Sequence, residues 1–198
     1  MRGKRINEEL VNLEIPDFTE SSIAWLSSVN MKDWNIFEWG SGASTVWFAR
    51  RCNKIWSIEY FKEFSVYMQD YIDNANITNC EIRFMAPDLT KNPEYIAKFS
   101  SAKGYSFKSF ALTINDYPQE MFDMVIVDGR ARNKCLNLAL SRVKQDGLII
   151  YDDTDRIEYK REVFKLSHHF SEILSFPGKK LTTGKQSETT ILRKKRYV

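Results

Sequence analysis

Two glycines and two glutamates stand at spacings that suit the binding of a nucleotide-like ligand. Glu38 lies in an apolar run, Gly40 and Gly42 follow it at alternate positions, and Glu59 ends the next apolar run. Because glycine has no Cβ atom, the backbone at Gly40 and Gly42 turns tightly and approaches a ligand closely. Glu59 lies 17 positions beyond Gly42 (59 − 42), close to the spacing of roughly 20 residues at which a carboxylate binds ribose hydroxyls. The combination predicts a cofactor site; a glycine turn needed only for packing is the alternative.

The hydroxyl residues after the glycines fit the same interpretation. Ser44 and Thr45 fall where a helix would begin, and hydroxyl and N–H groups at a helix start favour anions. A dinucleotide-binding loop needs a third glycine where Thr45 stands, and Glu38 would repel a pyrophosphate. The sequence therefore favours a cationic cofactor over NAD, with a nicotinamide-dependent oxidoreductase and a non-catalytic binding module as alternatives.

Acidic and basic residues follow two later apolar runs. Asp128 comes directly after one run, and Asp152 and Asp153 come after the next. Arg130 and Arg132 follow Asp128 at once, and guanidinium groups in that place suit a carboxylate or phosphate of a substrate. Surface arginines at the start of a helix are an equally good interpretation of the pair.

The elements that must position these residues alternate between short apolar runs and helix-like segments, which is typical of a parallel α/β sheet. The runs predicted as strands are residues 35–39, 55–59, 81–85, 122–127 and 148–151. Apolar stripes with helical spacing predict helices over residues 61–72, 136–143 and 159–170, the second stopped by Gly147, and a leading helix from Thr19. Residues 173–176 and 189–192 are predicted as two further strands, an antiparallel pair that closes the sheet.

This pattern predicts an α/β fold, a Rossmann-like three-layer α/β/α sandwich with a mostly parallel seven-stranded sheet and a C-terminal antiparallel hairpin. Ligands bind such sheets beyond the carboxyl ends of the strands, so the residues named above should share one edge. We expect a single domain, with residues 1–32 as an N-terminal helical extension and residues 33–198 as the cofactor-binding part. Residues 86–109 are irregular and predicted as a loop or lid.

The composition excludes several classes of protein. The 198 residues carry 29 Lys plus Arg against 26 Asp plus Glu, a balance too even for a dedicated nucleic-acid or polybasic membrane binder. Three scattered cysteines indicate neither a disulfide framework nor a zinc site. The N-terminus lacks an apolar signal core. We expect a cytoplasmic protein that binds a small-molecule substrate, with no membrane partner, nucleic acid disfavoured and a homodimer as the candidate assembly.

The same residues resemble the class I S-adenosylmethionine-dependent methyltransferases. The resemblance covers about residues 33 to 194 and is carried by Glu38, Gly40, Gly42, Glu59, Asp128 and the terminal hairpin. It implies that the glycine loop packs against the methionine part of the cofactor, that Glu59 binds the ribose and that Asp88 meets the adenine. Ser44 stands where many members have a third glycine. The implied cofactor-binding residues are Glu38, Gly40, Ser41, Gly42, Ser44, Thr45, Glu59, Tyr60, Asp88 and Asp128.

The segment around Asp128 and Asp153 resembles a narrower branch, the small-molecule O-methyltransferases. In that branch an acid after strand four and an acid after strand five hold a divalent metal, and Thr154 stands where a third oxygen ligand is usual. The resemblance implies Mg²⁺ or another divalent cation at Asp128 and Asp153, which are then also the catalytic candidates, because a metal lowers the pKa of a substrate hydroxyl. The alternative is that Asp128 contacts the cofactor amine or the substrate directly and Asp152 caps the following turn.

Methyl transfer from a sulfonium needs alignment of an acceptor more than a protein nucleophile. The chain carries Asp128-Gly129-Arg130 where amino-methylating nucleic-acid enzymes have an Asn-Pro-Pro-aromatic run. We therefore expect O-methylation of a small hydroxylated, saccharide or anionic acceptor, with Arg130 and Arg132 as substrate-binding residues.

Overall fold

A seven-stranded sheet forms the centre of the protein in a computed structural model that describes residues 8–97 and 102–196. The strands are β1 (Asn35–Trp39), β2 (Lys54–Glu59), β3 (Cys80–Phe84), β4 (Phe122–Val127), β5 (Val143–Tyr151), β6 (Phe170–Lys179) and β7 (Gln186–Lys194). Their order across the sheet is β3-β2-β1-β4-β5-β7-β6. The first five strands pair in parallel, and β7 runs antiparallel to both β5 and β6. The predicted sheet and its terminal hairpin are confirmed.

Helices cover both faces of this sheet. They are α1 (Glu20–Ser27), α2 (Ala43–Ala49), α3 (Lys62–Asn74), α4 (Lys108–Leu112), α5 (Arg132–Ala139) and α6 (Ile157–Lys165), with residues 8–12 also helical. Three short 3₁₀ turns occupy Pro93–Tyr95, Thr113–Asp116 and Ser167–His169. Over the described ranges, no helix combines the length and apolar character that crossing a membrane requires.

The sheet separates two apolar cores, and β4 shows why. Val125 and Val127 belong to one cluster of buried side chains, whereas Met124 and Ile126 belong to the other. Successive side chains of a strand point to opposite faces, so a run that is apolar at every position serves both cores. This arrangement confirms the predicted three-layer architecture.

The start of β5 differs from the sequence prediction. We expected Val143 to continue a helix that Gly147 would end, but α5 ends at Ala139 and Val143 begins the strand. Asp146 has a left-handed φ of 60°, and a Cβ atom on Gly147 would lie 2.7 Å from Val143 Cγ2. Gly147 therefore permits a local irregularity inside the strand and does not stop a helix.

The terminal hairpin is longer than predicted. Pro177 and Gly178, expected in the loop between the strands, lie inside β6. Since β6 is at the edge of the sheet, a proline without an N–H group is tolerated there. The turn instead lies between Lys179 and Gln186.

The N-terminal segment packs against the same sheet. The backbone N–H of Thr19 donates to Thr189 Oγ1 at 3.2 Å, and the Thr19 hydroxyl donates to the carbonyl of Phe176 at 2.9 Å. Val11 and Phe18 are fully buried in one of the two cores. The expected division at residue 32 stays a prediction, with the described part of the extension closely joined to the hairpin.

The loops after β1 and β4 meet backbone to backbone. Gly40 has a φ of +98°, and a Cβ atom there would lie 3.0 Å from the Gly129 Cα atom. A Cβ atom on Gly129 would in turn lie 2.7 Å from Cζ of Phe110. Both positions therefore need glycine, and the contact joins two adjacent strands at the edge where the sequence predicted a ligand.

We expect Gly40→Ala to lower the free energy of unfolding by about 1–3 kcal/mol, because the side chain adds both left-handed strain and a backbone clash. Urea denaturation followed by circular dichroism measures the change. Gly42→Ala is the matched control, since Gly42 has a φ of 174° and its Cβ position has no heavy atom within 4 Å. Equal stability of the two variants would contradict the structural assignment of Gly40.

Candidate active site

A cavity of about 240 Å³ opens at the carboxyl ends of β1, β2 and β4 and brings most of the predicted cofactor residues together. From the glycine loop it is lined by Gly40, Ser41, Gly42 and Ser44, and from the other strand ends by Glu59, Tyr60, Asp128 and Arg130. We call it the smaller cavity. Gly42 leaves it open, because any side chain at that position would project into this space.

Glu59 is fixed at the wall of the smaller cavity. Its Oε1 atom accepts hydrogen bonds from the backbone N–H groups of Tyr60 at 2.8 Å and Phe61 at 2.7 Å. The side chain is 4% exposed, and burial raises the pKa of Glu59 to about 7, although the two N–H donors and the charge of Arg130 oppose that rise. The strand end thus holds the carboxylate in one orientation at the cavity wall, with Oε1 engaged by the backbone.

Glu38 lies beneath the glycine loop and not in the described lining. Its carboxylate accepts from Ser44 Oγ and Thr45 Oγ1, both at 2.5 Å, and from Ser57 Oγ at 2.6 Å. The Thr45 Oγ1 atom also accepts from the N–H of Gly42 at 2.9 Å. Burial raises the pKa of Glu38, and the three hydroxyl donors counter it. Glu38 and Thr45 therefore brace the loop from below, where the sequence predicted direct contacts with a cofactor.

Asp17, which sequence reasoning missed, also lines the smaller cavity. Its Oδ1 atom accepts from the hydroxyls of Thr182 at 2.5 Å and Thr183 at 2.8 Å, both in the turn between β6 and β7. The Lys180 ammonium lies 3.9 Å from its Oδ2 atom. No local pattern could have identified Asp17, because only the hairpin turn brings it to the site.

Arg130 joins the smaller cavity to a larger one of about 510 Å³, since Gly129 and Arg130 line both. The Arg130 Nη2 atom donates to the Tyr60 hydroxyl at 2.5 Å, and the guanidinium carbon lies 4.7 Å from the Tyr60 ring centroid. The ring of Tyr60 packs edge-on against Phe107, with centroids 5.3 Å apart. Arg130 is therefore held between the two cavities, where a substrate arginine was expected.

Arg132 is placed differently from its sequence neighbour. It is 7% exposed and forms ion pairs with Asp128 at 2.8 Å and Asp153 at 3.2 Å. It also donates to the carbonyls of Asp152 at 2.8 Å and Gly129 at 3.1 Å. Because these partners engage its guanidinium, Arg132 organises the strand ends, and the expected substrate contact is not supported by this geometry.

A second buried cation, Lys180, forms ion pairs with the acidic residues after β5. Its Nζ atom lies 2.6 Å from Asp152 Oδ2 and 3.0 Å from Asp153 Oδ1. Thr189 Oγ1 donates to Asp152 Oδ1 at 2.7 Å, and Arg156 Nη2 lies 2.7 Å from Asp153 Oδ2. Burial opposes ionisation, but the surrounding cations hold the pKa of Asp153 below its usual range.

These contacts do not fit the divalent cation expected at Asp128 and Asp153. Carboxylate oxygens of Asp128, Asp152 and Asp153 do lie within 4.8 Å of one another, as in a metal cluster. A hard cation needs their lone pairs, yet each oxygen of Asp152 and Asp153 already has a cationic or hydroxyl donor. The Thr154 hydroxyl, the candidate third ligand, lies 2.7 Å from Thr190 Oγ1. Lysine and arginine side chains of the protein lie where the family resemblance implied a metal. In addition, Asp153 is not part of the described lining of either cavity.

Asp88 likewise lies outside the described lining of the smaller cavity. Its carboxylate accepts from the N–H of Lys108 at 2.5 Å and from Ser106 Oγ at 3.0 Å, so it caps the start of α4. The placement does not support the predicted contact with adenine. Asp88 belongs to the predicted loop or lid over residues 86–109, of which residues 98–101 lie outside the described part, and the lid role stays a prediction.

Replacing Glu59 with glutamine should stabilise the protein at high pH. A carboxyl group whose pKa rises from 4.5 to about 7 on folding contributes stability below about pH 4.5 that is lost as pH rises through about 7. We expect Glu59→Gln to raise the Tm by several degrees at pH 8 and to leave it nearly unchanged at about pH 4, because glutamine keeps an oxygen for both backbone donors. Calorimetric scans at both pH values test this, and a lower Tm at pH 8 would contradict it.

Replacing Lys180 with alanine should both weaken the fold and create a response to metal. Loss of one partner from a buried ion-pair cluster costs about 3–5 kcal/mol, and the vacated oxygens of Asp152 and Asp153 become available to a cation. We expect millimolar Mg²⁺ or Ca²⁺ to raise the Tm of Lys180→Ala and to leave the wild type unchanged at matched ionic strength. Lys185→Ala, in the same turn but exposed, is the control. A wild-type Tm that rises with Mg²⁺ as much as that of the variant would overturn the internal-cation interpretation.

Solved structures share this fold. A putative O-methyltransferase from Klebsiella pneumoniae matches with a TM-score of 0.62 and 15% identity over 98% of this chain and 90% of that chain. A tRNA (m1A58) methyltransferase from Aquifex aeolicus has a TM-score of 0.60 and 13% identity over 96% and 76%. A putative methyltransferase from Streptococcus mutans, solved in complex with S-adenosylhomocysteine, has a TM-score of 0.57 and 14% identity over 88% and 96%.

No protein-family model matches the sequence, and no curated protein matches it significantly. At the low identities of the solved structures, the likeness concerns the arrangement of strands and helices. The chain has the fold of the class I S-adenosylmethionine-dependent methyltransferases, as its sequence predicted.

Proposed function

We propose that this protein is an S-adenosylmethionine-dependent methyltransferase. The observation that carries the proposal is the smaller cavity, in which a fixed Glu59 carboxylate, an open Gly42 and the Asp128 carboxylate surround one space at the switch point of this fold. A ribose diol fits the carboxylate at the end of β2, and the glycine loop leaves room for the atoms that follow it.

The charges of the smaller cavity favour a cationic ligand. Its described lining holds three carboxylates, those of Asp17, Glu59 and Asp128, and one guanidinium, that of Arg130. Arg132 lies 2.8 Å from Asp128 and Lys180 lies 3.9 Å from Asp17, yet three acidic side chains at the cavity wall still suit a sulfonium with an α-ammonium group better than the pyrophosphate of NAD. This charge balance supports the methyltransferase over the oxidoreductase alternative.

The positions of the carboxylates suggest how the cofactor lies. Glu59 is at the end of β2, whereas Asp17 is next to Lys180, on the side of β5 and the hairpin turn. We infer that the ribose binds at Glu59, that the methionine part crosses the glycine loop, and that its ammonium faces Asp17 and Asp128. This assignment gives Asp128 the role of a direct cofactor contact, without a metal.

When bound, the cofactor would supply an electrophilic methyl group for transfer to the acceptor oxygen, with a neutral thioether as the leaving group. The chain's own residues align the reaction. Asp17 and Asp128 hold the cationic end of the ligand, and Arg130, fixed by Tyr60, stands where the acceptor must approach. The hydroxyl proton of the acceptor leaves to solvent, which reaches the site through the open cavities.

We further propose that the acceptor is a small hydroxylated, saccharide or anionic molecule that is methylated on oxygen. The larger cavity beside Arg130 has the volume for such a molecule. Its lining mixes three carboxylates, those of Glu94, Glu158 and Glu162, with five cationic side chains, and this mixture suits a small acceptor that carries both an acidic group and hydroxyls.

S-Adenosylhomocysteine should bind saturably in isothermal titration calorimetry. We expect Glu59→Gln to weaken its binding by about tenfold or more, because the charge-assisted hydrogen bond to the ribose is lost, and Gly42→Val to abolish it by filling the cavity. Glu81→Gln, an exposed carboxylate on β3, is the control. Absence of binding by the wild type at millimolar ligand, or tight binding of NADH in its place, would reject the proposed function.

Asp17→Asn should weaken the binding of S-adenosylhomocysteine, which carries the α-ammonium group. It should leave the binding of 5′-methylthioadenosine unchanged, because that compound lacks the amino-acid part. Asparagine keeps the oxygen that Thr182 and Thr183 bind, so only the charge is lost. We expect a loss of about fivefold to tenfold for the first ligand, with Glu59→Gln weakening both ligands and Asp33→Asn weakening neither. An equal effect of Asp17→Asn on the two ligands would contradict the inferred orientation of the cofactor.

A further inference from the structure

Two residues that line the larger cavity each have a buried side-chain atom without a hydrogen-bond partner among the described residues. These atoms are Nε of Arg130 and Oε1 of Glu158. A buried donor or acceptor without a partner is costly and uncommon in folded proteins. Two such residues of opposite charge in the lining of one cavity point to side chains that reorient toward a ligand.

Other charged side chains of the cavity are already paired. Lys134 lies 3.1 Å from Glu94, and Lys165 lies 3.6 Å from Glu162. Glu162 also accepts from Asn137 at 2.6 Å. The remaining arginines of the lining are ion-paired with Asp153. The described structure gives neither Arg130 nor Glu158 an ion-pair partner, so these two groups remain for recognition.

Their chemistry defines what would bind. A guanidinium N–H prefers a carboxylate or phosphate oxygen, and the second side of Arg130 is already fixed by Tyr60. A carboxylate oxygen can only accept a hydrogen bond, so its partner must be a donor such as a hydroxyl group. A ligand that suits both side chains therefore carries an anionic group for Arg130 and a hydrogen-bond donor for Glu158, of which a hydroxyl is the uncharged choice.

We propose that the larger cavity is the acceptor pocket and that it selects a hydroxylated acid of about the size of one sugar, with its acidic group on Arg130 and a hydroxyl on Glu158. This proposal rests on the proposed methyltransferase function and specifies its substrate class. A simple sugar would offer Arg130 only a neutral acceptor, and an acid without hydroxyls would offer Glu158 no donor.

Three probes of similar size separate these requirements. D-Glucuronate carries both groups, D-glucose has the hydroxyls without the acid, and cyclohexanecarboxylate has the acid without the hydroxyls. We expect calorimetry on the protein saturated with S-adenosylhomocysteine to give an affinity for glucuronate about tenfold higher than for either of the others.

Two variants assign the preference to the two side chains. Arg130→Met should reduce the affinity for glucuronate to that for glucose, and Glu158→Leu should reduce it to that for cyclohexanecarboxylate. Glu162→Gln is the matched control, because its carboxylate is in the same cavity but already has partners. The affinity for S-adenosylhomocysteine is measured for each variant, so that a change in the smaller cavity is recognised.

Equal affinities for the three probes, or variants that keep the preference for glucuronate, would overturn the proposal. If S-adenosylhomocysteine binds the wild type and the preference is missing, only the acceptor class fails. If S-adenosylhomocysteine does not bind at all, the proposed function itself fails.

Discussion

The buried ammonium of Lys180 is the contact on which the ligand-binding edge of this protein depends. It belongs to the turn between β6 and β7, yet it lies 2.6 Å from Asp152 at the end of β5 and 3.9 Å from Asp17 in the N-terminal segment. Because a buried charge without a partner is strongly unfavourable, these three parts of the chain hold one another in place. The same contact keeps Asp17 at the wall of the smaller cavity and neutralises from within the chain the acids that resemble metal ligands.

The site also contains two buried carboxyl groups whose ionised forms are disfavoured by burial. Burial raises the pKa of Glu59 to about 7 and raises that of Glu38 as well. Hydroxyl and backbone donors offset part of that cost for each residue. Such a conflict between stability and charge is expected at a binding site, and a cationic ligand would relieve it. The carboxyl group of Glu38 has hydroxyl donors from the protein on both oxygens, whereas Glu59 lines the cavity and can contact a ligand.

The two cavities differ in origin: one is formed by elements common to the fold, the other by elements particular to this chain. The smaller cavity is made by strand ends and the glycine loop, which the fold fixes. The larger cavity is made by α5, α6 and residues 93–97, and such peripheral elements vary among proteins with one fold. Solved structures of this fold include by name both a putative O-methyltransferase and a tRNA methyltransferase. Under the proposed function, the acceptor therefore depends on Arg130, Glu158 and the residues around them.

The sequence by itself determined the sheet, the position of the glycine loop and the place of Glu59, because apolar runs and glycines act through residues near them in the chain. Tertiary structure decided the rest. Asp17 and Thr182, 165 positions apart, meet only once the hairpin has folded against the N-terminal segment. Arg130 and Arg132 look equivalent in sequence, but with a left-handed residue between them, φ of 50°, Arg130 contacts Tyr60 and Arg132 pairs with Asp128 and Asp153. Long-range contacts and the direction of the backbone determine where each arginine lies, and neither leaves a periodic signal in the sequence.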